Sequence, residues 1–154
     1  MTDLDAVQAF ASDSHVCRFM TWGPNTVADT HRFLCTSVVP DPAALNLAVL
    51  RGGEVVGSAA VWITAAEHRC GELGYSLARP MWGHGYGTET ARMLISLGVD
   101  LLGLRRIAAT CDVENVASAR VLEKAGMTRE GTLRSYRVVR GRPRDHHIYS
   151  YITD

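Results

Sequence analysis

The stretch Gly71-Glu72-Leu73-Gly74-Tyr75-Ser76-Leu77-Ala78, followed by Arg79-Pro80-Met81-Trp82-Gly83-His84-Gly85-Tyr86-Gly87-Thr88-Glu89, decides the reading of this chain. Its first part, Gly71–Ala78, is a short, largely apolar run that reads as a strand. Beyond it, Ala91, Leu94, Ile95, Gly98, Leu101 and Leu102 recur at helical spacing, which predicts a long helix over Gly85–Leu102. Glycines 83, 85 and 87 stand between the two elements. Lacking Cβ atoms, they let the backbone turn sharply and approach a ligand closely. The free N–H groups and positive dipole end of a helix start suit a phosphate or pyrophosphate. Neither familiar phosphate loop fits, because no Lys follows as a Walker loop requires and the spacing is not G-x-G-x-x-G. Three alternating glycines alone are also what a plain strand-to-helix turn would use.

Working outward, Thr2 with Asp5 and Thr26 with Asp29 form capping-box patterns ahead of apolar-periodic runs. They predict a helix over about 3–12 and a second one stopped by Pro40. The period then changes to that of strands. Leu45–Leu50 and Val55–Thr64 flank Arg51-Gly52-Gly53-Glu54 as a hairpin, and Glu67–Arg69 turns the chain into Gly71–Ala78. After the long helix, Ile107–Cys111 reads as a buried strand, Ala117–Lys124 as a helix stopped by Gly126, and two strands flank Gly141-Arg142-Pro143. The order ααβββαβαββ describes one mixed α/β domain over 1–154.

Composition agrees. The 154 residues are 47% hydrophobic and 21% charged, which excludes a disordered or collagen-like chain. The formal net charge is zero, so bulk attraction to nucleic acid or anionic membrane is excluded as the driver of binding. The balance is uneven: residues 1–104 carry 6 basic and 10 acidic side chains, residues 105–154 carry 10 and 6. The positive end suits an anionic ligand. No signal peptide or membrane span is visible, and Cys17, Cys35, Cys70 and Cys111 form no C-x-x-C pair. A cytoplasmic protein with reduced, packed thiols is expected.

A second informative segment runs from Asp112 through Asn115, Ser118, Leu122 and Gly126 to Met127. Asn115 and Ser118 sit where a strand ends and a helix begins, where their side chains can bond free backbone groups or the amides of a ligand. Capping alone is an equally good reason for either.

Together, W-G-H-G-Y-G-T-E and N-V-A-S-A-R-V-L-E-K-A-G-M resemble the GNAT acetyltransferase superfamily, and more narrowly its ribosomal-protein (Rim-type) N-acetyltransferase branch. The resemblance extends through Glu130–Arg134, Gly141–Asp145 and Tyr149-Ser150, and covers about residues 45–152. It implies a GNAT acyl-CoA N-acyltransferase fold, a mixed α/β sheet. The family's opening strand has no counterpart ahead of the first helix, so either the sheet is expected to begin with an exposed edge or the chain is a truncated form.

The resemblance also implies that acetyl-CoA, as co-substrate, enters a V-shaped opening between the strands Gly71–Ala78 and Ile107–Cys111. Backbone at Leu77, Ala78 and Arg79 would pair with the pantetheine arm. The loop Trp82, Gly83, His84, Gly85, Tyr86, Gly87 and Thr88 would hold the pyrophosphate, and Asn115 and Ser118 the far end of the cofactor. An amine attacking the thioester needs a base, an oxyanion donor and help for the departing thiolate. The helix Tyr that many members use for that last task is replaced by Leu122, which leaves Ser118. A strand N–H near Leu77 is the oxyanion candidate. Glu72, at the opening of the strand pair, is the favoured base and Asp112 the second choice. Glu89 suits the helix dipole. The acceptor is expected to be a protein N-terminal α-amine. A small-molecule amine, or a non-catalytic acyl-CoA-binding module, are the alternatives.

Other residues carry less. Arg129, Arg134, Arg137, Arg140, Arg142 and Arg144 place six guanidinium groups within sixteen residues. They read as a solvated hairpin face, or as a rim for an acidic peptide or the CoA 3′-phosphate. His146 and His147 are adjacent on a strand, face opposite sides, and predict no metal site. Trp62 and Trp22 are assigned to the core, Trp22 with the alternative of lining an acceptor channel. No nucleic-acid or membrane partner is expected, and the protein is expected to be a monomer or homodimer.

Overall fold

The computed structural model describes residues 2–153; the terminal residues of the expected 1–154 domain lie outside the described residues. Helix α1 (Asp3–Ala11) and helix α2 (Val27–Ser37) each open on a complete capping box, Thr2 with Asp5 and Thr26 with Asp29. There follow β1 (Ala44–Arg51), β2 (Glu54–Ala65), β3 (Cys70–Leu77), α3 (Tyr86–Asp100), β4 (Arg106–Asp112), α4 (Val116–Lys124), β5 (Thr128–Val139) and β6 (Arg142–Ile152). The ten elements stand in the order the sequence predicts. They build one six-stranded mixed sheet in the order β1-β2-β3-β4-β6-β5. The outer edge of β1 has no strand beside it among the described residues.

One junction positions everything else. Every neighbouring pair is antiparallel except β3 and β4, which run parallel and are paired only from Cys70–Glu72 to Arg106–Ala108. Beyond Glu72 the β4-facing edge of β3 has no ladder partner, and the two strands part.

The main core lies between the sheet and helices α3 and α4, around Val61, Leu73, Leu94, Ile107, Leu122 and Tyr149. Full burial of each such side chain contributes about 1.5–3 kcal/mol. Helix α3 comes close to the sheet at Gly98, where an added Cβ would meet the Ile107 Cδ1 at 2.7 Å. A smaller cluster of Val7, Phe10, Ala11 and Val16 seats α1, with Leu34, Val55 and Ala78 packed against it.

Two expectations about packing are corrected. Leu101, assigned to the apolar face of α3, is 64% exposed, because α3 ends at Asp100. The chain turns through Gly103 (φ 64°), and Leu104, at 1% exposure, takes the core position instead. Of the four thiols only Cys17 and Cys111 are buried; Cys35 is exposed on α2, one turn from His31, and Cys70 is half-buried. Among the described residues, no helix is long and apolar enough to cross a membrane.

Candidate functional site

The parting of β3 and β4 opens a cavity of about 480 Å³ that reaches both faces of the sheet. Side chains alternate along a strand, and cross-strand partners share a face. On one face, Glu72, Gly74 and Ser76 of β3 therefore align with Trp62, Ala60 and Ser58 of β2. Ala60 and Ser58 align in turn with Asn46 and Ala48 of β1. All eight line the cavity, and the small residues in the middle give it depth. Phe19, Met20, Trp22 and Phe33, from α2 and the segment preceding it, line it as well. Trp22 is thus partly exposed at the cavity rather than in the core, and Trp62 is half-buried beside it.

On the other face, Tyr75 points toward α4. Its hydroxyl lies 3.3 Å from the Ser118 hydroxyl. Burial pushes the Tyr75 phenol up to about 12, so it stays protonated at neutral pH. Asn115 caps α4, its Oδ1 accepting the Ser118 N–H at 3.2 Å. The Ser118 hydroxyl is therefore not the cap. Tyr75 was not singled out from the sequence. The signal available was alternation along β3, which puts residue 75 on the face opposite Glu72.

Glu72 occupies the last paired position before the strands part, and its carboxylate has no hydrogen-bond or ion-pair partner among the described side chains. Asp112, the second candidate base, is committed elsewhere. At 2% exposure, it accepts two hydrogen bonds from Arg144, at 2.7 and 3.0 Å, and one from the Glu114 N–H at 2.9 Å. Burial pushes its carboxyl up, but those bonds outweigh burial and hold it below the ordinary carboxylate range. Such a carboxylate is a poor proton acceptor, which is a correction to its candidacy.

At the other end of β3 the glycine loop leads into α3. Gly85 is the N-cap at φ 87°, and Gly83 lies at φ 78°, conformations that side-chain-bearing residues adopt with strain. No side chain caps α3, and the first bond into the helix is from Glu89 N–H to the Gly85 carbonyl. Among the described residues the N–H groups from Gly83 to Thr88 have no protein partner, and they converge on the positive end of a fifteen-residue helix.

Just before the loop, the Trp82 ring N–H donates to the Leu77 carbonyl at 2.9 Å, and the Ala78 N–H to Val56 at 2.8 Å. Within Leu77–Arg79 the protein thus uses part of the backbone itself and leaves the Arg79 N–H free.

The arginine hairpin is more structural than a solvated face. Arg140 donates to the carbonyls of Cys17, Arg18 and Gly23, and Arg144 holds Asp112 and Glu114. His146 is buried and lines the cavity, while His147, on the opposite side, contacts the Thr132 hydroxyl. Among the described residues no group of three or more His, Cys, Asp or Glu side chains is placed to hold a metal.

Comparison with known proteins bears on this geometry. The family described as an acetyltransferase (GNAT) domain matches residues 1–128. YoaA of Bacillus subtilis, named an uncharacterised N-acetyltransferase, is 36% identical over 99 residues, which are 64% of this chain and 56% of YoaA. The aligned region thus spans little more than half of that relative. YdaF of Bacillus subtilis, named as a candidate ribosomal N-acetyltransferase, is 31% identical over 81% of this chain and 70% of YdaF. The crystal structure of a GNAT-family acetyltransferase from Bacillus anthracis superimposes with a TM-score of 0.86 at 29% identity, covering 97% of this chain and 89% of that one.

Proposed function

The chain belongs to the GNAT family of acetyl-CoA-dependent acetyltransferases, and from that premise we propose that it acetylates a primary amine, in the first place a protein N-terminal α-amine. The observation that carries the reading is the parting of β3 and β4, with Ser118 on one side of the gap and Glu72 on the other. The two reactants can then approach from opposite faces of the sheet. The pyrophosphate of the cofactor lies on the free amides from Gly83 to Thr88, beside Trp82. Its pantetheine arm follows the unpaired edge of β3 toward Leu77, Ala78 and Arg79, and Asn115 and Ser118 border its path.

In the transfer, the neutral amine nitrogen bonds to the thioester carbon and the C–S bond breaks. Glu72 takes the proton the nitrogen loses, directly or through water. An N–H on the free edge of β3 near Leu77 donates to the developing oxyanion. The leaving thiolate accepts a hydrogen bond from Ser118. The protonated Tyr75 phenol donates to the Ser118 oxygen and frees the serine proton for that task. Tyr75 thereby stands in from the strand for the helix tyrosine that Leu122 replaces.

A small-molecule amine is the second reading. Phe19, Trp22 and Phe33 on the cavity wall support it, because an apolar wall suits a compact acceptor.

The test is CoA release from acetyl-CoA with N-terminal peptides and with small amines. Turnover on peptides supports the first reading, and turnover on small amines alone supports the second. CoA binding without turnover on any amine would leave only a binding module.

A further inference from the structure

The hairpin between β1 and β2 carries a cation to the start of α3. Its two-residue turn, Gly52-Gly53, holds φ at 59° and 84°, the left-handed pair that a type I′ turn requires. Arg51 and Glu54 close the ladder at that tip. Just beyond them Val56 is left out of the register, with Leu50 facing Val55 and Val49 facing Gly57. A residue bulged out of a ladder bends its strand and re-aims the side chains beside it. The Val56 carbonyl accepts the Ala78 N–H at 2.8 Å, which fastens the hairpin tip to the end of β3.

From that tip the Arg51 guanidinium lies over the ring of Tyr86, 5.4 Å from its centroid. Tyr86 is the first residue of α3 and stands within the run of free amides from Gly83 to Thr88. The His84 ring lies 6.1 Å from that of Tyr86. Among the described residues Arg51 has no ion pair or hydrogen bond beyond this ring contact. Two carboxylates lie near it in the chain, Glu54 across the tip and Glu89 in the first turn of α3, and neither is paired with it. Arg79, the cation that follows β3, is engaged differently: it meets Asp13 at 3.4 Å and His15 at 3.4 Å. A guanidinium over a ring keeps its N–H donors for a second partner and is held in place for it. Ordering it beforehand lowers the entropy lost when an anion arrives.

We propose that Arg51 is a cofactor-binding residue, which reaches from the β1–β2 hairpin to the pyrophosphate of CoA, with Tyr86 as the platform that presents it. This rests on the placement of CoA in the proposed function and deepens it. The amides of α3 supply directed hydrogen bonds, and Arg51 supplies the full positive charge and a two-pronged donor that they lack.

The experiment measures Kd by calorimetric titration of CoA and of 3′-dephospho-CoA, with a thermal melt of each variant. Arg51→Met should weaken both ligands by the same factor, about tenfold, with Tm unchanged because Arg51 is exposed and unpaired. Arg51→Lys should retain part of the affinity, and added salt should narrow the gap between Arg51→Met and wild type. Tyr86→Phe keeps the ring and should bind as wild type. Tyr86→Leu should weaken CoA in the wild-type background and add little to Arg51→Met, since the two residues act as one unit. Arg105→Met removes the same charge at the opposite end of the sheet and should bind as wild type. Wild-type CoA affinity in folded Arg51→Met overturns the proposal alone, as does an equal loss in Arg105→Met. A loss seen with CoA and absent with 3′-dephospho-CoA would put Arg51 on the 3′-phosphate and overturn the pyrophosphate assignment. Failure of the wild-type protein to bind CoA would overturn the placement of the cofactor and this proposal with it.

Discussion

Replacing Ser118 by Ala separates its chemistry from its structure. The Asn115 cap is unaffected, because it engages the Ser118 backbone N–H, which alanine retains. The folded protein loses the 3.3 Å contact with the Tyr75 hydroxyl, about 0.5–1.5 kcal/mol for a neutral hydrogen bond. Alanine's higher helix propensity returns up to about 0.5 kcal/mol of that. The melting temperature should therefore fall by no more than a few degrees in a domain of this size. In the transition state the loss is a hydrogen bond to a charged sulfur, about 1.5–3 kcal/mol. At 1.36 kcal/mol per decade that is roughly a tenfold to 150-fold fall in kcat. CoA affinity should change little, because the thiolate exists only as the bond breaks. Tyr75→Phe should show a milder fall in kcat, since Ser118 keeps its proton and loses only its orienting partner. The assay pairs a thermal melt with steady-state CoA release at saturating acetyl-CoA. A Ser118→Ala enzyme with wild-type kcat, or one in which kcat falls only as far as CoA affinity does, would refute the reasoning.

Two further predictions follow from the carboxylates. Glu72→Gln should preserve fold and CoA binding and lower kcat/KM by about 10²-fold near neutral pH, the low end for a general base. The deficit should shrink as pH rises through an α-amine pKa of about 7.7–8.0, and a pH-independent wild-type rate would remove Glu72 from the chemistry. Arg144→Met should cost about 3 kcal/mol at pH 7, because it strands the buried Asp112 carboxylate. Asp112 is held below its ordinary pKa when folded, so its contribution is present above the unfolded pKa and is lost as pH falls through the folded one. The wild-type advantage over Arg144→Met in denaturant titrations should therefore narrow below about pH 4. A deficit that stays constant from pH 7 to pH 3 would contradict the ion-pair account.

The element order and the site's backbone were legible because they rest on local signals. Capping boxes at Thr2 and Thr26 and glycines at 83 and 85 act within a few residues, and each appears in the fold where the sequence puts it. What escaped depends on contacts distant in sequence. Nothing near Asp112 announces that Arg144, thirty-two residues on, would bind it in two places and take it out of proton transfer. Nothing near Ser118 announces Tyr75, which reaches it from another strand. Leu101 failed differently: its helical spacing was right, but α3 stops one residue earlier and the turn at Gly103 delivers Leu104 to the core. The six arginines of the hairpin looked alike in sequence. Only the strand register separates the structural Arg140 and Arg144 from Arg137 at the cavity.

The central claim is that a CoA thioester reaches the gap between β3 and β4 with its pyrophosphate on the start of α3. Calorimetric titration of CoA into the protein and into Gly85→Asp tests this most directly. A Cβ at Gly85 meets nothing within 4 Å, so the variant keeps its packing and bears only the backbone strain of φ 87°. It also places a carboxylate where the pyrophosphate would lie. The account predicts saturable one-to-one binding to the wild-type protein, weakened at least about tenfold, or 1.4 kcal/mol, in a folded Gly85→Asp. Equal CoA affinity in the two folded proteins would contradict it.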